Sequence, residues 1–173
     1  MYFRSRYLII VAVLAASSAS AHVMLDSGPA SIGTAYQAVF VVPHGCAGSA
    51  TIKLSIKIPE GVIAVEPVPK SGWNVETVKG KYAAEYDYQG AKVSEGVQEV
   101  VWSGGRLPDK TREEFVVNAF LTDGLSPNSI LYFPVVQECE QGISRWIEIP
   151  AEGEHSHDGK RPAPGVKLLP KPQ

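Results

Sequence analysis

Apolar residues recur along this chain with a period close to two, in short runs bounded by Gly, Pro, Asn and Asp, the pattern of β-strands and not of helices. The runs occupy roughly residues 22–25, 36–42, 50–58, 62–67, 73–78, 82–88, 97–102, 114–121, 130–136 and 145–149. Alternation is clearest in 50–58, where Ile52, Leu54, Ile56 and Ile58 are interleaved with Lys53, Ser55 and Lys57. One face of such a strand enters a core and the other meets water, so mostly antiparallel sheets are predicted. Turn signals stand between the runs at Pro59-Glu60-Gly61, Lys70-Ser71-Gly72, Ser103-Gly104-Gly105, Thr122-Asp123-Gly124 and Gln141-Gly142. Short strands with turns at this spacing predict an all-β, immunoglobulin-like or cupredoxin-like β-sandwich, with an up-and-down barrel as the alternative.

The two ends differ from this pattern. Arg4 and Arg6 precede an apolar run, 7–15, that leads into Ala19-Ser20-Ala21. That run is too short to span a bilayer and ends in an A-x-A site, so residues 1–21 read as a cleaved secretory signal peptide. Cleavage after Ala21 makes His22 the first residue of the mature chain and places the protein in the periplasm or elsewhere outside the cytoplasm. No later segment is long and apolar enough to span a membrane. Residues 22–150 are expected to form the sandwich. From Ala151 onward Glu, Gly, His and Pro dominate, and residues 151–173 read as a flexible tail.

Charge excludes one class of partner. The full sequence carries a net charge of −2, and loss of Arg4 and Arg6 takes the mature chain to −4. With no basic patch to meet phosphate, nucleic acid is not an expected partner. The two cysteines, Cys46 and Cys139, enter an oxidising compartment on export and are expected to bond to each other. A thiolate metal ligand is the rival reading. The sequence holds no Gly-x-Ser-x-Gly, His-Glu-x-x-His or glycine-rich phosphate loop, so no catalytic residues are assigned and the chain is not read as an enzyme.

The candidate chemistry sits at His22. A histidine at the start of a chain offers its α-amino group and imidazole Nδ1 from one residue, and the two can chelate a single cation. Cu(II) suits such a nitrogen set best, being at the top of the Irving–Williams order and favouring tetragonal N/O geometry. Met24 is too little to build a soft Cu(I) site.

Several further segments match a known pattern in order. They are His22-Val23, Val42-Pro43-His44-Gly45-Cys46-Ala47-Gly48-Ser49-Ala50-Thr51, Ile58-Pro59-Glu60-Gly61-Val62, Pro67-Val68-Pro69-Lys70-Ser71-Gly72-Trp73, Trp102-Ser103-Gly104-Gly105-Arg106-Leu107-Pro108, Glu114-Phe115, Phe133-Pro134-Val135-Val136-Gln137, Gly142 and Trp146. On these residues the chain resembles the YcnI-like family of bacterial copper-binding envelope proteins. The resemblance implies a β-sandwich with a monohistidine-brace Cu(II) site, in which His22 and Glu114 are ligands and Trp146 stands beside the ion. Glu113 competes with Glu114, because a one-residue slip turns a side chain to the other face of a strand.

The implied function is copper uptake, delivery or homeostasis, with another envelope copper-handling protein as a partner. Two other readings stay open. One is a metal-free immunoglobulin-like interaction module of the envelope. The other is a copper oxidase or monooxygenase, which needs a second nitrogen donor such as His44. His155 and His157 form a His-x-His in the tail that has no assigned metal role.

Overall fold

The computed structural model describes residues 22–150 and 161–173. The expected signal peptide and residues 151–160 of the expected tail lie outside the described residues. Among the described residues there is no helix, and the strands are β1 (Met24–Leu25), β2 (Ala30–Ser31), β3 (Thr34–Val42), β4 (Thr51–Lys57), β5 (Val62–Pro67), β6 (Asn74–Tyr88), β7 (Ala91–Leu107), β8 (Glu113–Leu121), β9 (Ile130–Tyr132), β10 (Val135–Cys139), β11 (Ile143–Trp146) and β12 (Gly165–Leu169).

They form a four-stranded sheet in the order β1-β3-β8-β5 and a five-stranded sheet in the order β11-β10-β4-β7-β6. A three-stranded sheet, β2-β12-β9, completes the set. Every pairing is antiparallel except that of β12 with β2. The fold is the all-β sandwich that the alternation predicts.

Inward-facing residues of the two larger sheets build the core. From β3 and β8 come Ala38, Phe40, Phe115, Val117 and Leu121, and from the opposite sheet Leu54, Ile56, Val100, Trp102 and Val135. Aromatic rings bridge the layers edge-on: Phe115 meets Trp102 with centroids 5.5 Å apart, and Phe40 meets Phe133 at 5.6 Å. Edge-to-face geometry is the arrangement that ring quadrupoles favour.

The structure redraws the expected elements at several points. The runs 73–78 and 82–88 merge, apart from Trp73, into one long strand, β6, which pairs with β7 through two irregularities and turns at Gln89-Gly90, where both residues have positive φ. That two-residue turn matches strand twist, and a glycine at its second position adopts the required backbone freely. Ser103-Gly104-Gly105 is not a turn, because β7 continues through it. Gly105 is there for contact: a Cβ on it would lie 2.3 Å from the Trp73 ring. The run 130–136 is cut at Phe133-Pro134, where the chain passes from the small sheet into the five-stranded one.

Alternation in β4 fails at one position. A register shift between Thr51 and Lys53 in the pairing with β7 turns Thr51 inward to full burial and leaves Ile52 exposed. A β-bulge re-aims side chains in this way, and it carries a hydroxyl into the interior where an isoleucine was expected.

The tail reading is corrected over its second half. Val166 and Leu168 are buried at 2% and 1% exposure on β12, which pairs with β2 through Leu168 opposite Ala30 and with β9 through Val166 opposite Leu131. Pro162, Pro164 and Pro170 flank this strand without interrupting it, so its ladder keeps its N–H donors. A composition rich in proline concealed a five-residue strand of alternating type.

The β6–β7 hairpin is held down by a clasp on Glu60, whose Oε1 accepts from Tyr86 Oη–H at 2.6 Å and from the Ala83 N–H at 3.0 Å. Desolvation, with the Glu60 carboxylate adding to it, pushes the Tyr86 phenol up to about 12. The sign follows from linkage: a folded-state value above the unfolded one favours the native state below pH ~10 and loses that contribution as pH rises toward 12. Absorbance titration at 295 nm is expected to show a tyrosine ionising near 12 that disappears in Tyr86→Phe, with stability falling over the same interval. Truncating Leu168 to alanine is expected to cost about 2–5 kcal/mol in urea denaturation; a loss below 1 kcal/mol would mean that β12 is not part of the cooperative unit.

Candidate metal centre

β1 and β11 are edge strands of the two facing sheets, and the candidate site bridges them. Val23 is 2% exposed and Leu25 packs on the core, so the start of β1 is anchored by its apolar positions. The half-buried ring of His22 meets the indole of Trp146 edge-on, with centroids 5.3 Å apart and an interplanar angle of 86°. Trp146, opposite Val135 in register, is 8% exposed and belongs to the core cluster. The structure therefore joins two of the residues that the sequence nominates.

The indole is fixed from behind. Trp146 Nε1–H donates to Gln137 Oε1 at 3.1 Å. The Gln137 amide nitrogen donates in turn to the His44 carbonyl oxygen and to Thr51 Oγ1, both at 2.8 Å. Gln137 is 1% exposed. Sequence reasoning placed Gln137 in a motif without giving it a role. The usable signal was its parity: between Val135 and Cys139 it takes an inward slot, and a polar residue there must have partners.

Cys46 and Cys139 are bonded to each other, with Cα atoms 5.9 Å apart, and both are buried. The thiolate-ligand alternative is thereby removed. The bridge pins the loop that carries His44 to the end of β10, two residues beyond Gln137. His44 Nδ1 is paired with the carbonyl oxygen of Gly45, and the Gly45 N–H donates to Asp109 Oδ1 at 3.1 Å. The loop thus engages that nitrogen of His44 within itself.

The two glutamates occupy opposite faces of β8, since Phe115 beside them points into the core. Glu114 lies on the outer face, opposite Val41, which is itself opposite Met24. Its carboxylate pairs with Arg112 at 3.1 Å, and Arg112 also holds Asp26 at 3.0 Å. These side chains are about half exposed, and ion pairs of this kind contribute about 0–1 kcal/mol. Glu113 lies opposite Val42, with core-facing parity. Its carboxylate is 2.6 Å from Lys70 Nζ, which also sits 4.9 Å from the Phe115 ring centroid.

Among the described residues no three His, Cys, Asp or Glu side chains group closely enough to hold a metal ion. A terminal amine is not a side chain, and His22 gains one only when the bond to Ala21 is cut. A cavity of about 590 Å³ lies elsewhere, between β5 and the β6–β7 hairpin, and none of the residues above lines it.

The family described as a domain of unknown function, DUF1775, matches residues 22–168. The chain belongs to the DUF1775 family. The match begins at His22 and ends within β12, so this DUF1775 domain includes the C-terminal strand. No curated protein matches it. Among solved structures it is similar to an uncharacterized protein from Nocardia farcinica with an immunoglobulin-like fold, at 21% identity and a TM-score of 0.61, over 86% of this chain and 98% of that one. At that identity the likeness establishes a shared fold. No helix among the described residues is long and apolar enough to cross a membrane.

The bridge closes a loop across a sequence separation of 93 residues, for which the entropic account gives about 4–5 kcal/mol. Denaturant titration of the DUF1775 chain with both cysteines changed to serine is expected to show a loss of roughly that size, 2–5 kcal/mol in practice. Unchanged stability would show the bridge to be dispensable.

Proposed function

We propose that the mature protein is an exported Cu(II)-binding protein whose site is built on His22. The observation that carries this reading is the packing of the His22 ring against a tryptophan that is itself hydrogen-bonded in place. Once the signal peptide is removed, His22 supplies the α-amino nitrogen and imidazole Nδ1, a pair that favours Cu(II). Trp146 covers one side of the histidine with its ring and restricts water there. The resemblance to YcnI-like proteins makes Glu114 the carboxylate ligand, which requires it to leave Arg112; Glu113 is the alternative with core-facing parity. A bonded cysteine pair suits an oxidising compartment. The role is copper uptake, delivery or homeostasis, with a second envelope protein receiving or supplying the ion.

A second reading, a metal-free interaction module, is supported by the immunoglobulin-like neighbour and by the absence of a three-residue metal cluster among the described side chains.

Calorimetric Cu(II) titration with paramagnetic resonance separates the two readings. The protein starting at His22 is expected to bind one ion with an axial N/O spectrum. A form with one additional residue before His22 is expected to bind about a hundredfold more weakly or worse, having lost a chelating amine. Affinity of the first form is expected to fall by about tenfold per pH unit below ~7.7, where the amine holds its proton. Equal weak binding by both forms would leave the interaction module as the function.

A further inference from the structure

The Gln137 amide has one orientation open to it. Trp146 Nε1–H can only donate and the His44 carbonyl can only accept, so the amide oxygen must face the indole and the nitrogen the loop. The contacts agree: 3.1 Å from indole nitrogen to amide oxygen, and 2.8 Å from amide nitrogen to the His44 oxygen. The second amide hydrogen goes to Thr51 Oγ1 at 2.8 Å, and Thr51 is inward only because of the bulge in β4. Thr51 Oγ1 lies 3.8 Å from Cys139 Sγ. One buried side chain on β10 thus connects the indole on β11, the His44 loop and β4.

This has a direct effect on what His22 meets. The indole N–H is spent on Gln137, so Trp146 offers His22 its ring and no hydrogen-bond donor. Loss of the amide would strand the indole N–H in a buried position and leave the ring without the contact that sets its angle.

We propose that Gln137 is the positioning residue of the His22 site, holding the Trp146 ring edge-on to His22 and coupling it to the His44 loop. The proposal deepens the copper reading and rests on it for its consequence in metal binding. Its structural half concerns the metal-free protein and is read separately.

The test uses the mature chain starting at His22 and two variants. Gln137→Met keeps length and volume without the amide; Gln137→Glu keeps an oxygen that accepts from the indole. In the metal-free protein, nuclear magnetic resonance follows exchange of the Trp146 indole hydrogen and the ring-current shifts of the His22 ring protons. Gln137→Met is expected to speed that exchange at least about tenfold and to move the His22 shifts, whereas Gln137→Glu keeps the indole hydrogen protected. Cu(II) affinity of Gln137→Met is expected to fall by about 10–100-fold, the usual effect of removing a group that orients a metal site, with an altered resonance spectrum.

Wild-type exchange and His22 shifts in Gln137→Met would overturn the positioning role. Displaced His22 shifts with unchanged copper affinity and spectrum would overturn its extension to the metal site. If the wild-type protein binds no Cu(II) at His22, the copper reading fails while the metal-free measurements still judge Gln137. Should Gln137→Met not fold, Thr51→Val removes a single amide partner and is expected to give the same spectral changes at smaller amplitude; no change in that folded variant would count against the proposal.

Discussion

Gln137 lies at 1% exposure, on a strand whose inward neighbours are Val135 and Cys139, and an amide left unpaired there would cost about 1–3 kcal/mol per orphaned group. The requirement that it be fully bonded reaches well beyond its own strand. It explains why β4 is bulged so that Thr51 points inward, and why the His44 loop must return to β10. It also fixes a tryptophan on β11 by its only polar atom. The disulfide holds the same loop to the same strand, so covalent and hydrogen-bonded constraints converge on one corner of the sandwich, where the chain also begins its first strand.

The strands legible in the sequence are those with one apolar face and one wet one. The run 62–67 coincides with β5, and 36–42, 50–58 and 114–121 differ from the observed strands by a residue or two at their ends. What alternation could not reveal was structure that depends on partners distant in sequence. Glycines at 80 and 104–105 look like breaks, yet both lie inside strands of a hairpin whose two arms support each other. Gly105 in particular is small because Trp73 lies over it, which no local pattern discloses. Proline content hid β12 for a related reason: the prolines mark its ends, and only β2 and β9 on either side make Val166-Lys167-Leu168 a strand.

The candidate site was legible in part. His22 was visible from its place after an A-x-A site, and Trp146 from the resemblance; their contact required the two sheet edges to face each other. The carboxylate is where sequence and structure pull apart. Adjacent glutamates on a strand are equivalent to a motif, but the pleat sends one toward the core side and the other to Arg112 on the outer face. Gln137 could have been found by asking of each inward slot whether its side chain belongs there.

The pairing of β12 with β2 brings Leu168 beside Ala30, nearly the two ends of the domain. Contacts of such long sequence separation close late, because loop entropy must be overcome before they return any stabilisation. A chain emerging from the ribosome lacks its closing strand until residues 165–169 have been made. The sandwich is therefore completed only when its most C-terminal strand docks between two earlier ones, and without residues 165–169 both β2 and β9 would be left as open edges.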